Sequence, residues 1–293
     1  MARRLGIAPL VIGLTVVSFG TSMPELLVTL LSGLQNNADL AIANIVGSNI
    51  ANVLLVLGCA AIIRPLPVKN STVVSEIPFS LTAALLLGFL ANAALFSTVP
   101  ELSISRLDGA ILLFFFLLFL VYVYMMSKQG DTEQLARRPG ADHSIPRSSI
   151  YIALGIVGLY AGGQLVVTSA VDLANIVGID DSVIGLTIVA VGTSLPELVA
   201  SCVAAYRGET DIAVGNVVGS NIFNILWIVG FTASIVELPF EAINNTDLVM
   251  VIVASTLILL SLVISRSNTI LRWHGAVFTV LYAGYLAFVI DRG

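Results

Sequence analysis

The sequence is poor in charge, histidine and cysteine, and each shortage excludes something. Charged residues make up 11% of the 293 residues against 57% hydrophobic, with a mean hydropathy of +1.01. That balance is far from the composition of a water-soluble domain. The two cysteines, Cys59 and Cys202, lie inside apolar runs and support no disulfide framework. The only histidines, His143 and His274, fall in or beside loops, which argues against a histidine-ligated metal enzyme within a membrane. The apolar runs lack the two-residue alternation of a membrane β-barrel. No small-residue cleavage pattern closes the run after Met1-Ala-Arg-Arg, and nearly the same run recurs from Ile184. It therefore reads as mature structure and not as a signal peptide.

What the chain has is apolar segments of roughly 20 residues, each able to span about 30 Å of hydrocarbon as a helix. Nine spans are expected, near 5–34, 39–63, 75–97, 106–126, 149–174, 182–206, 211–236, 246–265 and 271–290. The fold class is an all-α polytopic membrane protein. With the 127–148 loop placed in the cytoplasm, the same side collects Arg3, Arg4, Arg64, Lys69, Lys128, Arg137, Arg138, Arg147, Arg207, Arg266 and Arg272. Only Arg106 and Arg292 fall opposite, which fits positive-inside orientation with the C-terminus outside. The 127–148 loop is the one polar linker, too short for a folded regulatory module, and its composition is that of a solvated tether.

The linker separates two related halves, 1–126 and 149–293. Residues 12–68 align without gaps on residues 184–240, with nearly half the positions identical. "IGLTVVSFGTSMPELL" returns as "IGLTIVAVGTSLPELV", and "AIANIVGSNIANVLLVLG" as "AVGNVVGSNIFNILWIVG". Apolar bias would repeat leucine and valine, but not Gly, Thr, Ser, Pro, Glu, Asp and Asn in register. Glu25 lies on the first span and Glu197 on the sixth, so the copies cross the membrane in opposite directions. Inverted-topology repeats of this kind build secondary transporters around a mid-membrane site.

Pro24 and Pro196 carry no amide hydrogen and free the carbonyls of Gly20 and Gly192, which lipid cannot satisfy. Ser18, Thr21, Ser22 and Glu25 share one helix face. Thr193, Ser194 and Glu197 repeat it, with Ala190 in place of the serine. Asn44, Ser48 and Asn52, and again Asn216, Ser220 and Asn224, form a second polar stripe. Asn49 and Asn221 point away from that stripe, toward backbone or a neighbouring helix. The donors are all oxygens, and hard cations such as calcium or sodium favour them over soft metals. Two glutamates bring a formal charge of −2, enough for one divalent or two monovalent cations. Two bare carboxylates at mid-membrane are costly, so such a site holds one cation or the other, which is the basis of exchange. Asp39 and Asp211 read as helix N-terminal charges. Glu76, Asp108 and Asp172 read as interfacial, and Phe114-Phe115-Phe116 as lipid-facing bulk.

"GTSMPE…GSNIAN" and "GTSLPE…GSNIFN" resemble the two α-repeats of the calcium/cation antiporter superfamily, and the chain resembles its compact prokaryotic sodium/calcium exchangers. The resemblance implies ten helices in two inverted halves of five. The helix preceding the first copy would lie before Met1, so an upstream start or a trimmed chain is expected. It also implies ion ligands at Thr21, Ser22, Glu25, Ser48, Asn52, Thr193, Ser194, Glu197, Ser220 and Asn224, with backbone carbonyls from Ser18 and Ala190. Some exchangers of the family carry aspartate where Asn224 stands.

The function expected is therefore sodium/calcium antiport by alternating access in a prokaryotic inner membrane. The alternative is a proton-coupled or potassium-dependent calcium exchanger using the same cage. Calcium, sodium and the lipid bilayer are the expected partners, with no cofactor, nucleic acid or obligate protein partner. An intramembrane enzyme is disfavoured, because the polar residues are duplicated and not complementary as acid–base chemistry needs. A cation channel would differ in rate and in lacking counter-transport.

Overall fold

The computed structural model describes residues 7–93, 102–129 and 185–292 apart from 266, with isolated helical positions between 147 and 169. In the order of the chain, the described elements begin with α1 (Pro9–Thr21), α2 (Met23–Leu34) and α3 (Ala38–Ile63). Strand β1 (Leu66–Pro67), α4 (Asn70–Ala91), β2 (Ser103–Ile104) and α5 (Arg106–Gln129) follow. The second half supplies α6 (Thr187–Thr193), α7 (Leu195–Arg207), α8 (Thr210–Ile235), β3 (Leu238–Pro239), α9 (Asn244–Ser265), β4 (Thr269–Ile270) and α10 (Arg272–Arg292). Six of these helices are long and apolar enough to cross a membrane, and the bent pairs α1–α2 and α6–α7 raise the number to eight. They coincide with eight of the nine expected spans. The remaining one, 149–174, and most of the 127–148 linker lie outside the described residues.

Helix is what lipid demands, because it satisfies every backbone group within one segment. The helices differ in how much protein covers them. The most apolar windows of α3 and α8 are 83% and 89% buried, against 28–39% for α4, α5, α9 and α10. The two polar-striped helices therefore form the centre, and the bulkier apolar ones form the shell.

The strand pairs establish the inversion without reference to sequence. β1 pairs antiparallel with β4, and β2 with β3. One span, α4, separates β1 from β2, so they lie at opposite ends of the bundle. β3 pairs with β2 and shares its end. Yet β1 and β3 are the same element of each half, following α3 and α8. Equivalent helices therefore finish at opposite ends. The β1–β4 end gathers basic residues. Arg64 lies against Gly208, Lys69 pairs with Asp211 at 2.9 Å, and Arg272 donates to the Ile63 carbonyl at 3.3 Å.

Glycines set close helix crossings, two of them at equivalent positions. Gly58 of α3 meets Gly275 of α10, and its equivalent Gly230 of α8 meets Gly109 of α5. Without side chains, the helix backbones approach directly.

One expectation needs correction, and two residues expected beside loops or interfaces prove to be buried there. Phe116 is buried, with its ring 5.0 Å from that of Phe223 and 6.3 Å from that of Trp227, while Phe114 faces outward. Hydropathy cannot distinguish the core face of an all-apolar helix from its lipid face. His274 is buried in the first turn of α10, where Nδ1 accepts the Leu271 amide at 3.0 Å. It serves as a helix cap, satisfying an amide that the helix itself leaves free. Glu76 is fully buried and accepts the Tyr122 hydroxyl. At the other end Asp247 accepts the Tyr285 hydroxyl at 2.9 Å and pairs with Arg292 at 3.0 Å.

A Cβ built on Gly109 would lie 2.7 Å from the Ser234 nitrogen and 2.8 Å from the Gly230 oxygen, whereas one on Gly88 meets nothing within 4 Å. Gly109→Val is accordingly expected to destabilise the bundle by about 1–3 kcal/mol. Thermal unfolding in detergent checks this, with Gly88→Val as the substitution that leaves the midpoint in place.

Candidate ion-binding site

Each bent pair breaks at a serine. Ser22 (φ −84°, ψ 9°) ends α1, and Ser194 (φ −82°, ψ 1°) ends α6. The axes turn by 46° and 47° at these points. Pro24 and Pro196 sit in the first turn of the new half-helix, where a missing amide hydrogen costs nothing. Glu25 and Glu197 share that turn, so each carboxylate stands at the positive end of a helix. The sequence motif thus codes a restart as well as a break.

The halves are then laced together by hydrogen bonds that occur in equivalent pairs. Thr21 donates to Asn216 Oδ1 at 3.3 Å, and Thr193 to Asn44 Oδ1 at 3.2 Å. Asn44 Nδ2 donates to the Glu25 carbonyl at 3.3 Å and to Thr29 Oγ1 at 3.0 Å. Asn216 Nδ2 does the same to the Glu197 carbonyl at 3.4 Å and Ser201 Oγ at 2.9 Å. Ser22 donates to Glu197 Oε1 at 3.0 Å, and Ser194 to Glu25 Oε1 at 3.5 Å. Each glutamate is therefore held by a serine of the opposite half. The match is not perfect, because Ser220 adds a second donor to Glu197 Oε1 at 3.2 Å while Ser48 turns to the Ile45 carbonyl.

After these bonds, four buried oxygens of the two repeat-core glutamates and the asparagines at positions 52 and 224 remain without a donor, namely Glu25 Oε2, Glu197 Oε2, Asn52 Oδ1 and Asn224 Oδ1; Glu76 Oε2, near the start of α4, is a fifth such glutamate oxygen outside this set. The four come from two pairs of equivalent residues. Asn52 and Asn224 lie on π-helical segments, Asn52–Leu57 and Phe223–Val229. These pack against the helices that carry Glu197 and Glu25 respectively. Such π turns recur at functional positions because they shift a side chain out of the regular helical register. A buried acceptor without a donor is costly, and four together call for a positive partner. No group of three or more His, Cys, Asp or Glu gathers among the described residues. A donor set made of oxygens with two carboxylates is chemically suited to a hard cation.

All twelve expected residues lie on these elements or at their breaks, and Ser18, Thr21, Ser22, Glu25, Ser48, Asn52, Ala190, Thr193, Ser194, Glu197, Ser220 and Asn224 are all buried. Ser18 differs in kind, since its hydroxyl is spent on the Gly13 carbonyl at 2.7 Å and the Asn216 carbonyl at 3.1 Å. Asn44 and Asn216 act as braces between helices. Thr29 and Ser201, which receive their amides, were not singled out from the sequence. The signal was present, because the two hydroxyls are equivalent in the aligned copies.

The sodium/calcium exchanger protein family matches residues 1–125 and 147–290. The putative antiporter CaxA of Alkalimonas amylolytica is 38% identical over 97% of this chain and 89% of its own length. The sodium/calcium exchanger MaX1 of Methanosarcina acetivorans is 31% identical over 98% of this chain and 90% of its own. Among solved structures, the sodium-calcium exchanger NCX_Mj soaked with sodium and calcium superposes with a TM-score of 0.78. It is 32% identical, with 98% of this chain and 88% of that one covered.

Removing a brace leaves the Thr193 hydroxyl and Thr29 with one partner fewer in a buried setting. Asn44→Ala is expected to destabilise the fold by about 1–3 kcal/mol, and Asn216→Ala similarly. Thermal unfolding in detergent measures both.

Proposed function

We infer the function from a fact that the matches establish: the chain belongs to the sodium/calcium exchanger protein family. It is a multi-pass protein of the cell membrane and a secondary active antiporter that exchanges sodium for calcium. We propose that its ions bind among Thr21, Ser22, Glu25, Ser48, Asn52, Thr193, Ser194, Glu197, Ser220 and Asn224, with the carbonyls of Ser18 and Ala190 beside them. The observation that carries this assignment is the set of four buried, donorless oxygens, two from glutamate and two from asparagine.

Two carboxylates are neutralised by one calcium or by two sodium ions, so either load makes the cage electrically acceptable in hydrocarbon and an empty cage is disfavoured. That condition couples the fluxes. Glu25 and Glu197 are fully buried, so ions reach them only through a change of conformation. The inverted halves, 1–126 and 149–293 with the 127–148 linker between them, supply one. Where two equivalent halves face opposite sides, exchanging their conformations opens the same site to the other side. The apolar outer faces, such as those carrying Phe89, Val263 and Val280, meet lipid. The basic β1–β4 end faces the cytoplasm.

Radiolabelled calcium uptake into proteoliposomes tests the assignment. Uptake is expected only with sodium inside and should fall as sodium is added outside. Glu25→Gln and Glu197→Gln should each lower it at least about ten-fold, since charge count sets affinity for calcium. Uptake driven by a proton gradient and indifferent to sodium would sink the sodium-coupled reading.

A further inference from the structure

Asn49 and Asn221 lie outside the expected ligand set, yet they form the only described bonds from the Asn52 amide and one of two from the Asn224 amide. Asn52 Nδ2 donates to Asn221 Oδ1 at 3.1 Å. Asn224 Nδ2 donates to Asn49 Oδ1 at 3.3 Å and to Ser48 Oγ at 3.2 Å. Asn221 Nδ2 in turn donates to the Asn49 carbonyl at 3.4 Å, which fixes which of its own ends faces Asn52. All four asparagines are buried.

A side-chain amide has a donor end and an acceptor end of nearly the same shape. An asparagine can serve a cation only when its oxygen faces inward, because the NH2 end carries partial positive charge. Asn52 cannot settle this by itself. Its NH2 group is committed to an acceptor on the opposite half, and this leaves Oδ1 as the free, donorless end. On the other side Asn224 Nδ2 is committed to Asn49 Oδ1 and Ser48 Oγ, which again leaves Asn224 Oδ1 free, while Asn49 Nδ2 has no partner of its own. We propose that Asn49 and Asn221 are positioning residues that hold the Asn224 and Asn52 amides carbonyl-inward, so that each half sets the ligand orientation of the other. The proposal rests on the ion cage assigned above, and it deepens that assignment by adding two residues that act on cation affinity without touching the cation.

The arrangement also separates a positioning role from a packing role. Aspartate in place of Asn52 presents oxygen at both ends and needs no acceptor to orient it. The loss of the Asn221 acceptor therefore matters for an amide at position 52 and not for a carboxylate there, whereas loss of the Asn221 donor to the Asn49 carbonyl is common to both backgrounds.

The test is equilibrium binding of radiolabelled calcium to the full chain in detergent, run alongside uptake in proteoliposomes, for wild type, Asn221→Leu, Asn52→Asp and the double variant. Asn221→Leu is expected to weaken calcium binding about ten-fold, and to raise the calcium KM for uptake while kcat changes little. In the Asn52→Asp background the same leucine should change affinity by less than about two-fold. Unchanged affinity in Asn221→Leu, or the same loss in both backgrounds, overturns the proposal. Asn49→Leu with and without Asn224→Asp runs the comparison from the other half, so the result does not depend on the folding of one variant. Wild type that binds calcium without exchanging it contradicts the antiport reading instead, and the binding comparison still decides the role of Asn221.

Discussion

Two carboxylates at the centre of an apolar bundle are the constraint around which the protein is organised. Glu25 and Glu197 are fully buried, and no basic side chain makes a salt bridge with either among the described residues. Uncompensated charge at this depth is among the most costly arrangements a membrane protein can hold. The chain offsets part of that cost locally. Each glutamate sits at the positive end of a half-helix and accepts a serine hydroxyl from across the bundle. What these devices leave over is one free oxygen on each carboxylate. On the assignment proposed above, a mobile cation completes the balance, and a mobile partner can be exchanged.

Duplication makes this arrangement possible at small size. A single half would present one carboxylate, one brace and one amide, with nothing opposite them. Two inverted halves supply each other's missing groups, and the bonds that cross between the halves occur in equivalent pairs. The Thr21–Asn216 and Thr193–Asn44 pairs do so, as do the serine–glutamate and asparagine–asparagine pairs. The small departures from symmetry are informative as well. Glu197 Oε1 receives two hydroxyls and Glu25 Oε1 one, so the two carboxylates are not held equally in this conformation. Two halves that alternate roles need not be identical at any one moment.

Much of this was legible in the chain because membrane chemistry leaves few readings open. A proline beside a glutamate in an apolar run is costly, and its recurrence 172 residues later, from Glu25 to Glu197, leaves only a shared function. Eight of the nine expected spans followed from segment length, and the inversion from the odd number of spans between the two copies. The π-helical segments at Asn52 and Asn224 were not legible, since no residue type marks a π turn as glycine marks a left-handed one. Nor was the inward aim of Phe116, because the lipid and core faces of α5 are both apolar. The pairing of Asn49 with Asn224 lies between those cases. The sequence showed that Asn49 leaves the stripe, while only the fold brought its partner from the other half.

The claim at the centre is that one cage accepts calcium or sodium but not both. Equilibrium binding of radiolabelled calcium to the purified full chain, measured as sodium is raised at constant ionic strength, addresses it directly. The account predicts that sodium displaces calcium completely and with a slope steeper than one sodium per calcium, because two carboxylates need two monovalent charges. Calcium binding that stays constant as sodium replaces an inert cation would contradict it.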